Sequence, residues 1–175
     1  MARPERVDRL VLTAFTYTGR GSSTLTQRGK QLEYYRTHRW RKRDRATIDS
    51  IYSRDKPGTT DPAVAAAVAA IELSYGPNVP TGTYLDMTAN LPVVDPSKVL
   101  APTLLVRGQY DGIATMEDLL DFFSRLPNAD RQFSIIPNAA HAVGTSYNRQ
   151  LLWHVTLSFL RMPSARPLQP AQPRN

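Results

Sequence analysis

Apolar residues come in short blocks separated by turn residues, and the blocks alternate between strand-like and helix-like spacing along the chain. "VDRLVLTAF" (7–15) is apolar and β-branched, is stopped by "TGRGSS", and predicts a buried strand. Residues 23–54 are polar, strongly basic and predict helix, broken at the turn-rich "DKPGTTDP". In "TDPAVAAAVAAIELSYGP" the helix signal is sharper. Asp61 can cap it, Pro62 takes the first position, where no hydrogen bond is lost, and Gly76-Pro77 ends it. Residues 77–101 predict an irregular, Pro-containing connection with a short helix around 84–90.

Two strand-and-helix units follow. "PTLLVRG" predicts a buried strand, and Thr115 with Asp118 resembles a capping box opening a helix whose Leu119, Phe122, Phe123 and Leu126 share one face. "RQFSIIP" (131–137) predicts a second strand, and "SYNRQLLWHVTLSFL" a final helix with Leu151, Leu152, Val155 and Phe159 at helical spacing. Strands alternating with helices predict an α/β fold with a parallel sheet and right-handed crossovers. The tail beyond, with four prolines in "MPSARPLQPAQPRN", predicts disorder over 163–175.

Composition narrows the function. At 175 residues and 41% hydrophobic content, the chain has material for one sizeable core. The longest low-polarity run, "AVAAAVAAI", falls well short of the ~18 to 20 residues a membrane span needs, so no membrane association and a cytoplasmic address are expected. With zero cysteines there is no disulfide, thiolate ligand or cysteine nucleophile. His38, His141 and His154 show no close ligand spacing, so no metal is expected. "GRGSST" lacks the third glycine of a dinucleotide loop, so no cofactor is expected either. The net charge of +7 is concentrated in "YYRTHRWRKRDR" (34–45), where six Arg or Lys residues lie among aromatics. Such a run can bind phosphates and stack on bases, but it is also what a solvated helix face looks like. No nucleic-acid motif surrounds it, and nucleic acid is not the favoured partner.

The sharper clue is where two polar residues fall. In a parallel sheet the loops leaving consecutive strands share one edge, where ligands and reactive groups gather. Asp111 lies in the loop leaving "PTLLVRG", and His141 in the loop leaving "RQFSIIP", so the two can meet. A carboxylate there accepts the Nδ1 proton of the imidazole, fixes its tautomer and stabilises the imidazolium. Singly, Asp111-Gly112 is an ordinary turn pair and His141 an ordinary loop residue. Jointly, the order Asp before His, one helix and one strand apart, is specific. His154, inside the last helix, is expected to be structural.

These segments resemble the α/β-hydrolase family over most of the chain. "PERVDRLVL" is similar to its strand after the nucleophile-bearing helix, "APTLLVRGQYDGIA" to the strand and loop of its catalytic acid, and "LPNADRQFSIIPNAAHAVG" to the segment ending at its catalytic histidine. The resemblance implies Asp111 as acid and His141 as general base. It also implies a partial α/β-hydrolase fold: residues 1–18 and 100–162 form the C-terminal half of the core, the last parallel strands with flanking helices, and 19–99 an inserted helical cap carrying Tyr34, Tyr35, Trp40, Tyr52 and Tyr84. The family's nucleophile elbow, GxSxG between a strand and a helix, has no counterpart. "GTSYN" fails the pattern and follows the histidine. In "GRGSS", Ser22 and Ser23 come in the right order, with glycines at the wrong spacing.

The expected function is therefore hydrolysis of an ester or related acyl substrate through an Asp-His pair whose nucleophile is missing from this chain, a truncated form inactive alone. An Asp nucleophile, as in dehalogenases and epoxide hydrolases of the family, would use the same pair. Expected partners are a small acyl substrate and either a complementing N-terminal half or a second copy. The alternative is an inactive binding module presenting the basic aromatic run.

Overall fold

The computed structural model describes residues 3–163 and residue 165; the remainder of the Pro-rich tail lies outside the described residues. β1 (Leu10–Thr13) ends at Ala14, a non-glycine residue at φ 52° that turns the chain sharply out of the sheet. The chain then runs through α1 (Ser23–Gly29), α2 (Leu32–Thr37), β2 (Trp40–Lys42), α3 (Arg45–Ser53), α4 (Pro62–Ser74), β3 (Asn78–Pro80) and α5 (Gly82–Leu85) before re-entering the sheet. β4 (Thr103–Gly108), α6 (Met116–Ser124), β5 (Arg131–Ile136) and α7 (Arg149–Leu160) complete the order.

The sheet is parallel, in the order β1-β4-β5, with Leu10 opposite Thr103 and Thr103 opposite Arg131. β4 lies in the centre and is buried at every position, which is why it reads as a continuous apolar run rather than an alternating one. Leu104 and Val106 pack with Ile136, Val143, Leu152 and Phe159 on the α7 side. Leu105 packs with Tyr17, Val99, Phe122 and Leu126 on the α6 side. Each fully buried aliphatic side chain of this kind contributes about 1.5–3 kcal/mol. Arg9 reaches across the sheet to Asp130 (3.1 Å) and stacks over the Phe159 ring, tying the start of β1 to the start of β5.

Helix α4 follows its sequence signals closely: the Asp61 carboxylate accepts from the Ala63 amide (2.8 Å), and Gly76 (φ 97°) terminates it. Two expectations are corrected and one is refined. Residues 23–54 are not continuous helix, because Trp40–Lys42 pairs antiparallel with Asn78–Pro80, a ribbon that also orders part of the connection expected to be irregular. The short helix at 84–90 is α5 continued by a π-helical turn over Asp86–Asn90. The capping box at α6 is only half formed. Thr115 Oγ1 accepts from the Asp118 amide (3.3 Å), but the Asp118 carboxylate turns away to the loop after β1. Among the described residues, no helix is long and apolar enough to cross a membrane.

Candidate functional site

The register of the sheet brings the carboxyl ends of β4 and β5 together, and the loop leaving β5 folds back over the end of β4. Gln109 N–H donates to Ile136 O (2.9 Å) and Tyr110 N–H to Ala139 O (2.9 Å). This approach demands glycine at 108. A Cβ there would sit 2.2 Å from Ala140 O and 2.6 Å from Ala139 O, both backbone atoms that cannot swing aside. Gly108→Ala should therefore push the 139–141 loop off the sheet, at a cost of about 1–3 kcal/mol. The expected Tm falls by roughly 5 °C; a melt identical to the parent would show that the loop does not depend on this contact.

The loop's position delivers His141 to Asp111. Nδ1 of His141 lies 3.0 Å from Oδ1 and 3.1 Å from Oδ2 of Asp111. The Asp111 side chain is fully buried, whereas that of His141 remains 22% exposed, so the imidazole is held from beneath and open above. Oδ1 also accepts from the amides of Ile113 (2.9 Å) and Ala114 (3.0 Å), which fixes the carboxylate independently of the histidine. An ionised carboxylate only accepts, so the proton between the two groups sits on Nδ1 and leaves Nε2 with a lone pair.

Two supporting residues emerge from the structure. Arg107, buried beneath the turn, donates from Nη2 to Asp111 O (2.9 Å) and from Nε to Ala114 O (3.2 Å). Burial lowers its pKa from the ordinary arginine value, with the Asp111 charge opposing. An arginine inside an otherwise apolar strand was the signal for it. Asp55, from the connection between α3 and α4, lies against Gly112: a Cβ on that glycine would meet Asp55 Oδ1 at 2.7 Å. The Asp55 side chain is 2% exposed and takes a two-pronged contact from Arg54, Nε at 2.7 Å and Nη2 at 3.1 Å. Burial works to raise its pKa, but Arg54, the Gly112 amide and the charge of His141 outweigh it and hold the carboxyl below the usual range. A second anion thus lies within electrostatic reach of His141, and nothing in "RDKPG" distinguishes it from a turn residue.

Two serines of the candidate loops serve other ends. Ser22 is buried; its Oγ donates to Gly112 O (2.9 Å) and caps α1 by accepting from the Leu25 amide (3.3 Å). Ser146 Oγ donates to Val143 O (2.9 Å). His38 stacks on Tyr34, with ring centroids 4.2 Å apart, and His154 lies exposed on α7. Much of the basic run is paired within the chain: Arg36 with Glu33, Arg43 with Glu72 (2.6 Å), Arg45 with Asp49 (2.8 Å), and Arg41 with the Tyr84 hydroxyl (2.6 Å). Among the described residues, no three His, Cys, Asp or Glu side chains are grouped as a metal site would require.

Solved structures resemble this chain. An α/β hydrolase fold protein from Chitinophaga pinensis matches with a TM-score of 0.57 at 15% identity, over 91% of this chain and 58% of that one. A thermophilic esterase from Thermogutta terrifontis matches with a TM-score of 0.59 at 20% identity, over 90% and 57%. A monoglyceride lipase from Saccharomyces cerevisiae matches with a TM-score of 0.56 at 15% identity, over 86% and 54%. The chain spans less than two thirds of the length of each. By sequence, no family model and no curated protein matches it. With three parallel strands, helices on both faces, and loops that meet over the end of the central strand, the described residues adopt part of the α/β-hydrolase fold.

Proposed function

We propose that the chain supplies the acid and the general base of a hydrolase acting on an ester or related acyl substrate, with Asp111 as acid, His141 as base and residues 19–99 as a cap over the site. The observation that carries this reading is the buried Asp111 carboxylate held 3.0 Å from His141 Nδ1 at the carboxyl edge of the sheet. Nε2 then takes the proton of an attacking hydroxyl, returns it to the leaving alkoxide, and in the second half-reaction takes one from water. Asp111 orients the ring and stabilises the imidazolium, and Asp55 adds a second negative charge nearby.

The nucleophile comes from outside these 175 residues, on a strand–turn–helix segment for which the outer edge of β1 is the natural seat. β1 pairs only with β4 among the described residues, and an apolar cleft of about 870 Å³ lies beside it, lined by Leu10, Leu12, Phe15, Tyr17, Val93 and Phe122. A second copy of the chain could occupy the same edge, but it would bring no elbow.

The pair itself is testable in this chain alone. Long-range ¹H–¹⁵N NMR at pH 8 should find His141 protonated on Nδ1, with a low-field Nδ1 proton that disappears in Asp111→Asn. An Nε2-protonated ring in the parent protein would overturn the assignment.

A further inference from the structure

Beneath the basic run lies a cavity of about 440 Å³, between α1, α2, α3 and Tyr84, lined by Gln27, Arg28, Tyr35, Arg41, Arg54 and Tyr84 among others. Three guanidinium groups line it, and they are not equivalent. Arg54 is neutralised by the Asp55 carboxylate. Arg28 has no acidic partner among the described residues: it lies 5.1 Å from the Tyr84 ring centroid and points one nitrogen at Met87 Sδ (3.4 Å). Arg41 lies 4.0 Å from the same ring and donates Nη2 to the Tyr84 hydroxyl, while its Nε is buried with no hydrogen-bond partner. A buried, charged donor left without an acceptor is costly, and such groups in native proteins call for an explanation.

Two residues of the cavity wall are tied through their chain neighbours to the turn that follows Asp111. Ser23, on its wall, follows Ser22, whose hydroxyl is bonded to Gly112 O, and Arg54 precedes Asp55, which lies against Gly112. Its size suits a short acidic arm.

We propose that this cavity binds the anionic group of the substrate, a carboxylate or a phosphate, on Arg41 and Arg28, so that the hydrolase acts on esters carrying a second, ionised group. The naming of the ligand as substrate rests on the hydrolase reading; the anion site itself does not. Burial, the largest effect, lowers the pKa of Arg28, with Tyr84 and Tyr35 opposing it and the Arg54 and Arg41 charges adding to it. A carboxylate or phosphate would accept from the guanidinium groups of Arg41 and Arg28 together, with the planar guanidinium fork suited to either. Tyr35 and Tyr84, with rings 5.5 Å apart, form the aromatic wall against which the organic part packs.

The test uses the 175-residue chain and three probes of similar shape: 3-phenylpropionate, phenyl phosphate and the uncharged 3-phenylpropionamide, titrated at low salt by equilibrium dialysis. At least one anion should bind about tenfold more tightly than the amide, as one charge-assisted contact warrants. The tighter of the two anions identifies the natural group. Arg41→Gln and Arg28→Gln should each erase the preference, with melting checked to show that the variants fold. Equal binding of all three probes by the parent chain overturns the proposal without recourse to any variant, as does an unchanged preference in folded Arg41→Gln. Asp111→Asn should keep the anion preference, so loss of the hydrolase reading alone would leave the anion site standing.

Discussion

Asp111→Asn is expected to lower kcat for 4-nitrophenyl butyrate by about 10³- to 10⁴-fold, measured on the chain supplied with a strand–elbow–helix segment of the kind proposed above. The substitution is nearly isosteric, and the amide oxygen can still accept from the Ile113 and Ala114 amides, 2.9 and 3.0 Å away in the parent protein. The turn should therefore hold and Tm change little. What fails is the tautomer. With its oxygen engaged by the two backbone donors, the side chain turns its NH₂ toward His141, which then carries its proton on Nε2 and has no lone pair to offer the nucleophile. KM should stay within a few-fold, because the loss lies in proton transfer and not in binding. His141→Ala should cost at least as much. Near-parental turnover in both variants would remove the pair from the mechanism and leave the carboxylate as a turn residue only.

That experiment bears on what was legible in advance. Asp111 and His141 were readable because their placement depends only on strand order and direction, which the apolar runs "TLLVRG" and "RQFSII" signal, and the sheet does bring them within hydrogen-bonding distance. The helix over Pro62–Ser74 was readable because its cap, first-turn proline and terminal glycine are all local. The ribbon between Trp40–Lys42 and Asn78–Pro80 was not, since its two strands are short and each is stabilised only by a partner far along the chain. Arg107 and Asp55 escaped for a related reason: each acts on backbone atoms of the Asp111 turn, a relation that no spacing in the sequence encodes. In the basic run the pairing was not legible: Arg36, Arg39, Lys42 and Arg45 are exposed, as a solvated face would be, but Arg41 lines the cavity and Arg36, Arg43 and Arg45 find acidic partners within the chain.

Asp118 shows how far a locally plausible role can differ from the one the fold assigns, and its replacement carries the largest expected loss of stability. The side chain is 1% exposed. It accepts from the backbone amides of Tyr17 (2.9 Å), Thr18 (2.9 Å) and Gly19 (3.1 Å), from Thr16 Oγ1 (3.2 Å), and from the Thr18 hydroxyl. One carboxylate thus organises the whole turn by which the chain leaves β1 toward α1. Thr115 Oγ1 donating to Arg20 O (2.7 Å) and Ser22 Oγ donating to Gly112 O continue the same junction. Burial pushes the Asp118 pKa up, but the Thr18 hydroxyl and the three backbone amides outweigh it, and the net shift is downward. In Asp118→Asn the charge is lost and an NH₂ group faces backbone donors, at a cost of about 3 kcal/mol. For a chain of this length that lowers Tm by roughly 6–12 °C at pH 7. The sign of the pH dependence follows from the lowered pKa. The stabilisation is fully present above the unfolded carboxylate value near ~3.9 and is lost as pH falls through the still lower folded value. The Tm gap between parent and variant should therefore be widest at neutral pH and close progressively below about pH 4. Melting curves at pH 7 and pH 3 decide it: a gap of the same size at both would mean that the charge of Asp118 contributes nothing and that its packing alone holds the turn.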